Sequence, residues 1–138
     1  MTDLFTPLQA GELALPNRIL MAPLTRCRAE AGHVPGELMA THYAQRAGAG
    51  LLIAEATMAM EGNSAFWHEP GIHSEAQVAG WKGVTSAVHA EGGAIFAQLW
   101  HVGRLSHVSL QPCERAPVGP VAKAASGVQS FAFREDGT

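Results

Sequence analysis

The sequence predicts an α/β fold built on parallel strands, and three observations carry that prediction. Three short apolar runs, residues 18–22, 51–57 and 94–100, lack the alternation of a half-exposed strand and read as strands buried on both faces. Residues 74–93 carry a helical period. The order is strand, helix, strand, helix, strand, the pattern of an α/β sheet with right-handed crossovers.

The elements follow in chain order. Apolar residues flanking Ala10-Gly11-Glu12 predict a small hairpin over residues 8–15. The first parallel strand, residues 18–22, is cut off by Pro23. A weaker helix spans residues 37–47 and closes at Gly48. The second strand covers residues 51–57. In the strong helix, Val78, Trp81, Val84 or Thr85, and Val88 recur at three- or four-residue steps. Ser74 is its N-cap, with Gln77 completing a capping box and Glu75 favourable to the helix dipole. Gly92-Gly93 offers the left-handed C-cap. The third strand covers residues 94–100. Beyond it, residues 101–138 are rich in Pro, Gly, Ser and Ala, with one weak strand expected at 129–134 and a hairpin turn at 135–137.

Composition narrows the function classes. The chain has 138 residues, 47% hydrophobic and 15% charged, with a net charge of -3, so it is neither disordered nor built to bind nucleic acid. No run approaches the ~20 apolar residues of a membrane span. The N-terminus has no basic region leading into an apolar run, so the expected compartment is the cytoplasm. Cys27 and Cys113 form no CxxC motif and read as reduced thiols.

In parallel α/β folds, ligands sit at the carboxyl ends of the strands. Here those ends carry Pro23, Leu24 and Thr25, then Ala56, then Gln98 and Trp100. A hydroxyl, an amide, a residue without bulk and an aromatic wall suit a planar heterocycle bearing carbonyl oxygens and ring nitrogens. The seven histidines show no ligand-pair spacing, so no metal site is expected. Cys27 reads as a packing residue, Trp81 as core and Arg26 and Arg28 as solvated loop. Glu55, inside an apolar strand, is expected to be held in a structural ion pair, an Arg being the candidate partner.

Seven stretches together resemble one family. They are Leu4-Phe5-Thr6-Pro7-Leu8, Pro16-Asn17-Arg18, Ala22-Pro23-Leu24-Thr25-Arg26, Gln45-Arg46-Ala47, Glu55-Ala56-Thr57, Pro70-Gly71-Ile72-His73-Ser74, and Gln98-Leu99-Trp100-His101-Val102-Gly103-Arg104. In this order and spacing the chain resembles the N-terminal part of an Old Yellow Enzyme family flavoprotein, the bacterial ene-reductase and nitroester-reductase branch in particular.

The resemblance implies an eight-stranded (β/α)8 (TIM) barrel of which this chain holds about three strands and the N-terminal hairpin. It implies FMN at the carboxyl-terminal mouth and NAD(P)H as reductant, with Pro23, Leu24, Thr25, Ala56 and Gln98 as cofactor contacts. The Thr25 hydroxyl would hydrogen-bond flavin O4, and Gln98 the pyrimidine side. Trp100 would shape the substrate pocket. Phe66 would line it too, standing where relatives often carry Tyr. The phosphate site, the substrate clamp and the Tyr proton donor would lie beyond residue 138.

The expected function is the N-terminal fragment of an FMN-dependent oxidoreductase for enones or nitro and nitrate-ester compounds, inactive alone. The alternative is a non-catalytic assembly module or one piece of a split barrel. It would associate with itself or a companion chain through its open sheet edges. A half-barrel keeping only phosphate or sugar binding is a weaker reading, because no Gly-rich phosphate loop is present.

Overall fold

In a computed structural model describing residues 3–127, a three-stranded parallel sheet packs against two helices. The expected strand at 129–134 and its turn lie outside the described residues. An antiparallel hairpin precedes the sheet, β1 (Leu8–Ala10) against β2 (Leu13–Leu15). Its two-residue link starts at Gly11, whose φ of 61° lies in the left-handed region that glycine tolerates best.

The sheet order is β3 (Leu20–Met21), β4 (Leu51–Met58), β5 (Ile95–Trp100), all parallel. The first strand is shorter than the expected 18–22, pairing only Leu20 and Met21 with Leu51 and Leu52. At its start the Asn17 side chain accepts the Ile19 N–H, and Ile19 offers its carbonyl to Gly50. At its end Pro23 has no N–H to continue a ladder.

Helix α1 (Glu37–Ala44) ends three residues before the expected 47, because the next amides, Arg46 and Ala47, bond back by three residues to Tyr43 and Ala44. Helix α2 (Glu75–Ala90) has both arms of the Ser74–Gln77 capping box. It ends in a Schellman motif: Gly93 N–H bonds to Val88 C=O, Gly92 N–H bonds to His89 C=O, and Gly92 takes φ 76°.

The core lies between sheet and helices: Met39 and Tyr43 from α1, Trp81, Val84 and Val88 from α2, Leu52 and Ala54 from β4. Two expectations fail here. Val78 is exposed, and Gln77 takes the buried place beside it. The Gln77 amide accepts the His73 and Ser74 N–H groups and donates to Gly32 C=O, so it is fully partnered. Burial on both faces holds for β4 but not for β3, where Leu20 is 49% exposed, or for β5, where Phe96 and Leu99 are 50% and 61% exposed. β4 has strands on both sides, whereas β3 and β5 each have one neighbour among the described residues.

Two helical glycines make opposite predictions. A Cβ at Gly80 would stand 2.4 Å from the Pro35 carbonyl oxygen, whereas one at Gly83 would meet nothing within 4 Å. Glycine within a helix ordinarily costs about 0.8–1 kcal/mol relative to alanine. Gly83→Ala is therefore expected to stabilise by roughly that amount. Gly80→Ala is expected to destabilise by about 1–3 kcal/mol through overpacking against backbone. Urea denaturation of both variants checks the pair, and equal shifts would contradict the packing.

Candidate functional site

The carboxyl ends of the three strands bring most of the expected residues together. Ala56 on β4 stands in register with Gln98 on β5, and Met58 with Trp100. Between Ile53 and Ala56 the ladder shifts: two residues, Ala54 and Glu55, oppose the single residue Ala97. Such a bulge re-aims the side chains that follow it. Ala56 is buried and Gln98 exposed.

Glu55 sits at that bulge and is 1% exposed. Its Oε2 accepts the Arg26 backbone N–H at 2.9 Å, and its Oε1 accepts the Tyr43 hydroxyl at 3.0 Å. The Tyr43 oxygen in turn accepts the Glu55 N–H at 2.9 Å. The expected pairing with an arginine side chain is therefore corrected: the Arg26 backbone and a tyrosine fill that role. A carboxylate in a strand can reach the main chain of an adjacent extended segment without a long cation to order. Burial pushes the Glu55 carboxyl above the usual range, and the donors from Arg26 and Tyr43 oppose that rise. The Tyr43 hydroxyl is pushed up, first by burial.

This contact joins the segment after β3 to the end of β4. Arg26 directly follows Thr25, and Glu55 directly precedes Ala56. From Met21 to Arg28 alternate residues are half-buried, namely Met21, Pro23, Thr25 and Cys27, while Leu24 is 60% exposed. Among the described residues, neither the Thr25 hydroxyl nor the Gln98 amide has a hydrogen-bond partner. Burial and the neighbouring Glu55 push the Cys27 thiol up, which opposes thiolate formation.

The two expected pocket aromatics meet. Phe66 and Trp100 stack with centroids 5.9 Å apart and planes 1° from parallel. The Trp100 indole Nε1 is buried without a partner. Beneath the stack lies a polar layer that sequence reasoning missed. Asn63 bonds to both Trp100 C=O and Val102 N–H. Glu69, fully buried, accepts the Ala65 and Phe66 N–H groups on one oxygen while its other oxygen has no partner. Burial pushes the Glu69 carboxyl up. Ser64 C=O accepts from Ser106 and Gln111. Nothing in Glu61-Gly62-Asn63-Ser64 signals more than a turn, because its partners lie some 40 residues away.

Other features lie elsewhere. A groove lined by Glu37, Thr41, Gln45, Ala87 and Glu91 opens between the helices and holds none of the expected residues. Among the described residues no three His, Cys, Asp or Glu side chains gather as metal ligands, and no helix is long and apolar enough to cross a membrane. His101 accepts the Gly103 N–H within the loop after β5.

Parallel strands in series with helices, with Ala56, Gln98 and Trp100 at their carboxyl ends, are the pattern of an α/β barrel, whose ligands sit at that end. The chain belongs to the NADH:flavin oxidoreductase / NADH oxidase family, which it matches over residues 3–135. It is 48% identical over 124 residues to 12-oxophytodienoate reductase 7 of Oryza sativa subsp. japonica, covering 89% of this chain and 31% of that protein. It is 51% identical over 98 residues to a probable flavin mononucleotide-dependent alkene reductase of Leishmania infantum, covering 71% of this chain and 27% of the relative.

Among solved structures, morphinone reductase superposes with a TM-score of 0.93 at 54% identity, over 99% of this chain and 36% of that one. The old yellow enzyme homologue from Zymomonas mobilis gives 0.82 at 44% identity, over 96% and 40%. The chain thus spans about a third of the length of these relatives. It corresponds to the N-terminal part of an Old Yellow Enzyme TIM barrel.

Proposed function

We propose that this chain forms the N-terminal wall of an FMN site in an NAD(P)H-dependent oxidoreductase reducing activated alkenes such as enones, or nitro and nitrate-ester compounds. The observation that carries the reading is the placement of three expected contacts together: Glu55 binds the segment after Thr25 to β4, and Ala56 next to Glu55 stands in register with Gln98. The relative named as a probable flavin mononucleotide-dependent alkene reductase, and a morphinone reductase structure in complex with tetrahydroNAD, support it.

The residues present fit FMN. A free hydroxyl at Thr25 and a free amide at Gln98 match the carbonyl and nitrogen edge of an isoalloxazine ring. Pro23 and Leu24 supply backbone and apolar contact, and Ala56 leaves room for a flat ring. When bound, FMN supplies hydride transfer between nicotinamide and substrate. The protein groups orient it and tune its potential. Phe66 and Trp100 wall the substrate side, and Phe66 offers no hydroxyl there. Groups for the phosphate, for the substrate's electron-withdrawing oxygen and for proton donation belong to other strands of the barrel.

The test is a hybrid barrel in which residues 1–138 replace the equivalent third of morphinone reductase. The hybrid is expected to retain FMN and reduce an enone with NAD(P)H. In it, Thr25→Ala is expected to lower the flavin potential by about 30 mV, since a donor to O4 favours the electron-rich reduced ring and 30 mV corresponds to about 1.4 kcal/mol. An unchanged potential in spectroelectrochemical titration would remove Thr25 from the cofactor set.

A second reading, an assembly module, is favoured by the β5 edge, which has no strand partner among the described residues, with Phe96 and Leu99 exposed. Retention of FMN by the hybrid, with a loss of that flavin on Gln98→Ala, separates the two.

A further inference from the structure

The polar layer beneath the Phe66–Trp100 stack has its own logic. Asn63 is completely buried, and both ends of its amide are engaged by one short stretch of chain. Its Nδ2 donates to Trp100 C=O at 2.7 Å, and its Oδ1 accepts the Val102 N–H at 2.6 Å. These two backbone groups flank His101. A residue of a parallel strand bonds its neighbour in the same way, to the C=O before and the N–H after one opposing residue. The Asn63 side chain thus stands in for a strand partner at the place where β5 ends. It fixes the main chain that carries the Trp100 ring.

The other half of the stack is fixed from the same layer. Glu69 Oε1 holds the Ala65 and Phe66 N–H groups, and Ser64 C=O is held by Ser106 and Gln111. Two loops from different strands are therefore set against each other by buried hydrogen bonds, while the rings they carry meet face to face, Phe66 being 42% exposed. An unpaired buried amide or carbonyl is expensive, so the bonds of Asn63 and of Ser64 C=O favour one arrangement of the two loops.

We propose that Asn63 is a specificity-determining positioning residue: its clamp on Trp100 and Val102 sets the Phe66–Trp100 stack as a flat wall for a planar, conjugated carbonyl substrate. The inference rests on the reading of those two aromatics as the substrate side of the site. Asn63 itself touches neither cofactor nor substrate.

The test uses the hybrid barrel with Asn63→Ala and Asn63→Asp. The Asp variant is nearly isosteric; it keeps the acceptor for Val102 and removes the donor to Trp100. Both are expected to retain FMN and to be reduced by NAD(P)H at the unsubstituted rate. The KM for a cyclic enone is expected to rise about tenfold with kcat little changed, the signature of lost binding common to ground and transition states. Phe66→Ala is expected to raise KM similarly, and the Asn63→Ala/Phe66→Ala double variant to add little, because both act through one stack.

An unchanged KM in either flavin-loaded Asn63 variant, or full additivity in the double variant, would overturn the proposal. So would loss of FMN from both Asn63 variants, since the clamp would then hold the scaffold and not the wall. If the unsubstituted hybrid retains no FMN, it is the flavin reading that fails. The clamp is then read in the 138-residue chain by hydrogen exchange at the Val102 amide, expected to be slow and to become fast in Asn63→Ala; equal rates overturn it.

Discussion

Tyr43→Phe is expected to destabilise the chain by about 3 kcal/mol at pH 8 and by less at pH 5. The substitution removes one oxygen and creates little void. That oxygen, however, donates to the buried Glu55 carboxylate and accepts the Glu55 N–H, so two buried groups lose their partner at once. The pH dependence follows from the raised Glu55 pKa. A buried carboxyl that holds its proton more tightly than the unfolded chain does contributes stability at low pH. That stability is lost as pH rises from the ordinary carboxyl value, near 4.3, through the folded one. The Tyr43 hydroxyl holds the Glu55 pKa down, so Tyr43→Phe raises it further and widens that window. Urea denaturation at the two pH values checks both size and direction; a loss larger at pH 5 would contradict the arrangement.

The largest functional effect concerns the chain by itself. Without the remaining strands it is expected to show no enone turnover above background, whereas the hybrid barrel turns over. Proximity and oriented donors supply several powers of ten in rate, and the clamp, the proton donor and the phosphate handle are expected on other strands. NAD(P)H oxidation dependent on enone, measured at equal concentrations of chain and hybrid, checks this. Turnover by the chain alone would mean that its own residues complete a site.

Much of the scaffold was legible because local chemistry dictates it. Ser74 and Gln77 announce a helix start through groups three residues apart, and Gly92-Gly93 announces its end. Residues 51–57 read as a strand buried on both faces, and β4 is so buried because it lies between two other strands. What resisted reading depends on distant partners. Val78 fits the apolar period as well as any residue, yet Gln77 is buried in its place to satisfy backbone groups at Gly32, His73 and Ser74. β5 is as apolar as β4, and its exposure follows from which strands flank it. The acid at position 55 was visible as a buried charge, but its partners, a tyrosine and a main-chain amide, were not.

The site shows the same division. Ala56 and Gln98 were placed at strand ends by pattern, and the register sets them side by side. Phe66 was proposed for the pocket only through family resemblance, and its stacking on Trp100 needs the fold. Asn63 and Glu69 carried no local signal, since a turn asparagine and a loop glutamate are ordinary until their buried partners are known.

Whether this chain lines the flavin is decided by the visible absorption spectrum of the hybrid barrel after incubation with FMN and desalting. A retained flavin band that Gln98→Ala weakens is the result expected if this chain supplies one wall of the flavin site. A colourless eluate from a folded hybrid would contradict it.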